Sequence, residues 1–260
     1  MKKWINEDYH FTVTVIDGIY GPGDTRIRIG CRNGHEVGDT YTCEYGCPEP
    51  VNGEGGFCTK TVQKLYKLEE AIRHGKSPTE VDFTCADGCV TFRLHAENLA
   101  QIKPLTAADI PAYGEVIRKS FATVAKDFGW TCENAPGHTS FISDERLAAK
   151  VKGGYYPFGY ECGGEIFGFA SLTDMGDGIY KMNDVSILPV WRHLGYGKKL
   201  LDFCKAKVLE LGGNKITIGI VEENAVLKDW YAANGFVHTG TKKFEHLPFT
   251  TGYMEWEAAK

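Results

Sequence analysis

The sequence predicts a mixed α/β protein in two parts: a small cysteine-rich α+β domain over residues 1–97 and a larger α/β domain over residues 98–260. Three observations predict it. Six of the nine cysteines, Cys31, Cys43, Cys47, Cys58, Cys85 and Cys89, fall in the first third of the 260 residues. Stretches with the two-residue alternation of strands and the three- and four-residue spacing of helices follow each other through both parts. Residues 183–201 read as a strand that meets a proline, passes through a glycine loop and enters a helix.

Each element has its own signal. Residues 11–16, Phe-Thr-Val-Thr-Val-Ile, alternate as a half-buried strand does, and Asp17-Gly18 closes it. Residues 61–74 predict a helix with Val62, Leu65, Leu68 and Ile72 on one face and Gly75 as its stop. Between Gly30 and Gly56, glycine, cysteine and acidic residues predict loop and short strands. Residues 89–94 predict the last strand of the first domain, and residues 95–100 hold the boundary. Thr106-Ala107-Ala108-Asp109 has capping-box spacing ahead of a helix over 110–121. Residues 134–139 predict a loop, and Ser143 caps a second helix. Strands are predicted over 155–161, 166–172 and 180–188, with Gly163-Gly164 as a hairpin turn. A helix from Leu194, its face made by Leu200, Leu201, Cys204, Val208 and Leu211, stops at Gly212-Gly213. A strand over 215–221, a helix within 222–236, and closing strands over 238–243 and 252–256 complete the chain.

Composition excludes several function classes. A net charge of −5 provides no basic stripe for nucleic-acid phosphates and leaves room for a cationic amine. The first eight residues turn acidic before any apolar run forms, which argues against a signal peptide, and no stretch has the length of a membrane span. Nine cysteines without a secretion signal predict a reducing, cytoplasmic setting with thiols free or metal-bound. A homodimer stays open.

The glycine loop carries the most specific chemistry. Pro189 cannot continue a sheet ladder, so the strand ends before Arg192, His193, Leu194, Gly195, Tyr196, Gly197 and Lys198. Gly195 and Gly197 bare the backbone where a helix N-terminus projects unpaired N–H groups and partial positive charge, which suits a pyrophosphate. A P-loop would need glycine at Arg192 and Ser or Thr at Lys199, and a dinucleotide fingerprint would need glycine at Leu200. Arg-x-x-Gly-x-Gly after such a strand resembles the acetyl-CoA signature of the GNAT N-acetyltransferase superfamily. The later run from Asn224 through Tyr231 to Gly235-Phe236 resembles that superfamily's second signature.

The resemblance implies a GNAT fold, and it implies direct attack of a small-molecule or peptide amine on acetyl-CoA within a ternary complex. The central strand and the next would splay, with Ile187, Leu188 and Pro189 offering main-chain groups to the pantetheine arm. Residues 192–198 would cradle the pyrophosphate, and Asn224 would reach the pantetheine. Tyr231 corresponds to the tyrosine that protonates the leaving thiolate; a phenol's pKa of about 10 suits an alkyl thiol. The other reading of Tyr231 is core filling. Many relatives carry a glutamate where Asn183 stands, so Asp184, Glu222, Glu223 or a water chain is left as the base. The segment 244–253, with Glu245 and His246, would line the acceptor site; those residues and His138 also read as ordinary surface. The rival to catalysis is a noncatalytic acyl-CoA-binding protein with a metal- or redox-sensing first domain.

Residues 8–95 resemble a small bacterial domain family with a Gly-His-x-x-Gly-Asp turn, here Gly34 to Asp39, and a late Cys-x-Asp, here Cys85-Ala86-Asp87. No activity comes with that resemblance. Cys43, Cys47, Cys85 and Cys89 form two close pairs that suit a tetrahedral zinc if the segments meet, whereas the plainer reading is buried cysteines.

Overall fold

The computed structural model describes residues 8–18, 33–44, 47–53, 56–245 and 247–258. Its chain divides into two compact units, Met1–Ala100 and Gln101–Lys260.

The first unit is an antiparallel sheet with one helix. Strands β1 (Tyr9–Gly18), β2 (Thr40–Glu44), β3 (Cys47–Asn52), β4 (Glu80–Thr84) and β5 (Val90–Asn98) lie in the order β3-β2-β1-β5-β4. Alternation puts Phe11, Val13 and Val15 inward with Tyr41, Cys43, Phe92 and Leu94, against Leu65 and Ile72 of α1 (Thr59–Arg73). Two differences from the sequence reading stand out. Residues 95–98 extend β5 opposite Tyr9–Thr12 instead of leaving the sheet. The buried stripe of α1 holds Thr61, Leu65, Glu69 and Ile72, so a carboxylate sits where the helical spacing suggested an apolar face.

The Gly-His-x-x-Gly-Asp motif builds a turn. Asp39 Oδ2 accepts the Glu36 N–H at 2.8 Å, and Gly38 adopts φ +98°. A Cβ on Gly53 would lie 2.4 Å from the Asp39 carboxylate. The His35 ring is buried, with Nδ1 2.9 Å from the Tyr41 hydroxyl and the Tyr41, Phe57 and Phe92 rings around it.

The four-cysteine zinc reading is overturned. Cys43 stands opposite Phe11, which stands opposite Ala96, whereas Cys85 and Cys89 flank the β4–β5 turn beside Val90 at the far end of the same strand. Six residues of extended chain are about 20 Å, far beyond a shared zinc, and the described residues contain no group of three or more His, Cys, Asp or Glu able to hold a metal. Cys43 is instead buried in the core beside Glu69. Cys31 lies outside the described residues.

The second unit is a seven-stranded sheet. Strands β6 (Gln101–Pro104), β7 (Tyr155–Cys162), β8 (Glu165–Asp174), β9 (Ile179–Ile187), β10 (Lys215–Val221), β11 (Val237–Lys243) and β12 (Thr250–Glu257) lie in the order β11-β12-β10-β9-β8-β7-β6. Only β9 and β10 run parallel. Helix α2 (Ile110–Asp127) follows the expected Thr106–Asp109 capping box and runs six residues past its predicted end. Helix α3 (Asp144–Lys152) is capped by Ser143. Both pack Ile110, Tyr113, Ile117 and Leu147 over one face, around Phe169. Helix α4 (Tyr196–Glu210) covers the other face, where its Phe203 meets Phe158; the next residue, Gly159, abuts Leu105 on the α2 face. The hairpin glycines Gly163 and Gly164 both have positive φ, as a type I′ turn requires.

Besides the irregularity at His238–Gly240 of β11, bulges on β8 and β9 break the strand alternation. On β8 the register slips at Phe167, so Phe167 stacks on Trp191 while Phe169, two residues on, stacks on Tyr113 of α2. On β9, Asn183 to Ser186 stands opposite Ser171 to Phe169, leaving one extra residue, and Asp184 takes φ +54° to accommodate it.

Candidate active site

The site begins where β9 and β10 part. Their pairing covers only Ile179, Tyr180 and Lys181 against Lys215, Ile216 and Thr217, after which β9 runs on to Ile187 and β10 to Val221 unpaired with each other. At the open end, β9 enters the turn Pro189–Trp191 and the loop to α4. Helix α4 starts at Tyr196, two residues later than the spacing suggested, because His193 (φ +64°) and Gly195 (φ +83°) are left-handed. No side chain caps its N-terminus, which keeps the character of an anion site.

The loop residues divide their labour differently from the expectation. Arg192 was expected to present its charge to a pyrophosphate. Its guanidinium turns inward: Nε donates to Ile187 O at 3.0 Å, one terminal nitrogen to Thr123 Oγ1 at 3.0 Å and the other to Ser120 O at 2.9 Å. Burial lowers its pKa. Arg192 therefore ties the end of β9 to α2. Lys198 pairs with Asp202 at 2.5 Å on the exposed helix surface. Gly197 has a second reason to be glycine, since a Cβ there would sit 3.3 Å from the Trp230 ring. The Tyr196 ring is core, against Tyr160, Phe167 and Trp191. Of the expected main-chain contacts, Ile187 O already accepts from Arg192 and Leu188 N–H donates to Phe167 O at 2.8 Å.

On the β10 side, Asn224 opens helix α5 (Ala225–Ala233), its Oδ1 accepting the Leu227 N–H at 3.1 Å. The amide Nδ2 is the part of that side chain not engaged by the cap. Residues 124–236, which contain both strand ends, the loop and α5, match the Acetyltransferase (GNAT) family. They are a GNAT acetyltransferase domain. Among solved structures, ribosomal-protein-S18-alanine N-acetyltransferase from Escherichia coli is 15% identical, with a TM-score of 0.50 over 62% of this chain and 95% of that one. A probable acetyltransferase from Staphylococcus epidermidis, also 15% identical, has a TM-score of 0.50 over 62% of this chain and 99% of that one. At such identity the likeness is one of fold. No curated protein matches the chain in sequence.

Within the acetyltransferase domain, Tyr231 is 6% exposed, packed edge-on against Trp230 and Phe236. Burial, with Cys204 nearby, raises its pKa well above the usual phenol value, so it stays protonated at any working pH. None of the three carboxylates expected as base is unencumbered. Asp184, on the bulge, holds Lys150 of α3 at 2.7 Å. Glu222 holds Lys228 and, at 2.9 Å, His238 Nε2, and these bonds lower its pKa. Glu223 accepts the Thr250 N–H at 2.9 Å. The Asn183 amide donates to Thr173 Oγ1 and Lys181 O.

His138 departs from a surface role. It is 5% exposed and ringed by Phe121, Trp130, Phe141 and Phe249. The sequence reading missed this cluster because Trp130 and Phe249 stand more than a hundred positions apart and no local periodicity links them. Glu245 is exposed, and His246 lies outside the described residues. No helix among the described residues is long and apolar enough to cross a membrane.

Proposed function

We propose that the acetyltransferase domain binds acetyl-CoA between β9 and β10 and transfers its acetyl group to a primary amine. The observation that carries this reading is the parting of the two parallel strands beside an uncapped helix N-terminus with left-handed Gly195. The pyrophosphate rests on the N–H groups of residues 193–198, and the pantetheine arm lies in the opening, within reach of the Asn224 amide. The amine nitrogen attacks the thioester carbonyl, the C–S bond breaks, and Tyr231 gives its proton to the departing thiolate. Asp184 and Glu222 are held by cations, so the acceptor enters as the free amine, and the proton it loses passes through water to restore the Tyr231 phenol.

Calorimetry with coenzyme A tests the binding step. Any side chain at Gly195 strains the left-handed loop, so Gly195→Gln serves as the uncharged control for Gly195→Glu. Gly195→Glu should bind at least about tenfold more weakly than Gly195→Gln, because only the carboxylate repels the pyrophosphate. Equal affinity in wild type and both variants would reject the assignment.

A further inference from the structure

None of the residues assigned above to coenzyme A belongs to the ring cluster around His138. Trp130 lies 4.8 Å, centroid to centroid, from both Phe249 and His138, and His138 lies 5.9 Å from Phe121, 6.2 Å from Phe141 and 6.4 Å from Phe249. These residues come from opposite sides of the opening. On the β9 side, Arg192 joins Ile187 O to Ser120 O and Thr123 Oγ1, the residues that bracket Phe121. On the β10 side, Glu222 N–H donates to Thr250 O while Glu223 accepts the Thr250 N–H, which fixes Phe249 at that strand's end. The Trp130–Phe249 contact thus joins two strand ends that do not pair with each other.

The chemistry of the cluster is uniform. Phe121, Trp130, Phe141 and Phe249 are half-buried, at the edge of the cluster around the buried His138. The five side chains include no carboxylate, ammonium or guanidinium. His138 Nδ1 lies 2.8 Å from Ser140 Oγ and 3.3 Å from Ser140 N, and burial lowers the pKa of the imidazole. Such a wall discriminates by ring stacking and apolar area.

We infer that the acceptor is a small arylalkylamine, its ring held among Trp130, Phe141 and Phe249 and its amino group directed into the β9–β10 opening. This rests on the acetyl-transfer reading above and narrows its acceptor.

The test is steady-state acetylation by the full chain at saturating acetyl-CoA, with phenylethylamine, tryptamine, butylamine and spermidine compared. The arylalkylamines should exceed butylamine and spermidine in kcat/KM by about tenfold or more, mainly through KM. Trp130→Ala and Phe249→Ala should raise the arylalkylamine KM far more than the butylamine KM and so remove most of that preference, and Trp130→Phe should restore it in large part. Wild-type preference for butylamine or spermidine would overturn the inference without recourse to any variant. So would variants that lower all amines equally. Coenzyme A binding without arylalkylamine turnover sinks this inference alone, whereas loss of coenzyme A binding by wild type sinks the acetyl-transfer reading with it.

Discussion

Tyr231 and Arg192 show how differently a side chain and its surroundings share a role. Tyr231 is buried, so Tyr231→Phe keeps the packing and deletes only the hydroxyl. Turnover should fall roughly 10²-fold with coenzyme A affinity unchanged in calorimetry; unchanged turnover would make the residue core filling. Arg192 is the converse. Its three hydrogen bonds satisfy Ile187 O, Ser120 O and Thr123 Oγ1, so Arg192→Met should cost roughly 2–4 kcal/mol of stability through the acceptors it strands. A thermal melt would show that loss, and a large drop in coenzyme A affinity with an unchanged melt would return the guanidinium to the phosphate. The sequence placed Arg192 correctly in the loop, but its partners Ser120 and Thr123 lie about seventy positions earlier, and spacing within the loop carries no trace of them.

Among the elements, the strands and helices with strong periodicity were legible. The strand over 215–221 and the stop of α1 at Gly75 agree with the structure. Elements whose identity depends on partners were less so: β4 and β6 are short, and β2 and β3 lie in a stretch whose composition suggests loop and short strands, where only pairing fixes their bounds. The bulges at Phe167 and Asp184 were equally hidden, because an extra residue is defined only against the neighbouring strand. The α4–α5 contact supplies the prediction at this scale. Gly197→Leu drives a side chain into Trp230, only 3.3 Å from the position of a Cβ, and should destabilise the domain by about 1–3 kcal/mol. Asn224→Ala, which removes one cap from α5, should cost about 1 kcal/mol. Chemical denaturation of both variants checks the order, and a Gly197→Leu protein as stable as wild type would mean that α4 and α5 do not pack as described.

At the scale of the whole chain, each unit has its own core, and the first carries a titratable group inside it. Glu69 is 1% exposed beside Cys43, with Oε1 lacking a hydrogen-bond partner. Burial, helped by the neighbouring Glu70 charge and opposed by the Cys43 hydrogen bond, raises its pKa from 4.5 to about 7. Between those two values the unfolded chain has released this proton and the folded unit still holds it. The folded state therefore binds more protons, and its stability falls as pH rises through that window. The full contribution is roughly 3 kcal/mol, present below the unfolded pKa and lost as pH passes the folded one. Denaturant unfolding of the full chain, followed by a probe in residues 8–98, should show this decline, and Glu69→Gln should flatten it. Residues 101–260 expressed alone should lack the decline and retain the full-length affinity for coenzyme A. A slope that persists in Glu69→Gln would mean that another group titrates, and a truncated chain unable to bind coenzyme A would mean that the acetyltransferase domain depends on the unit before it.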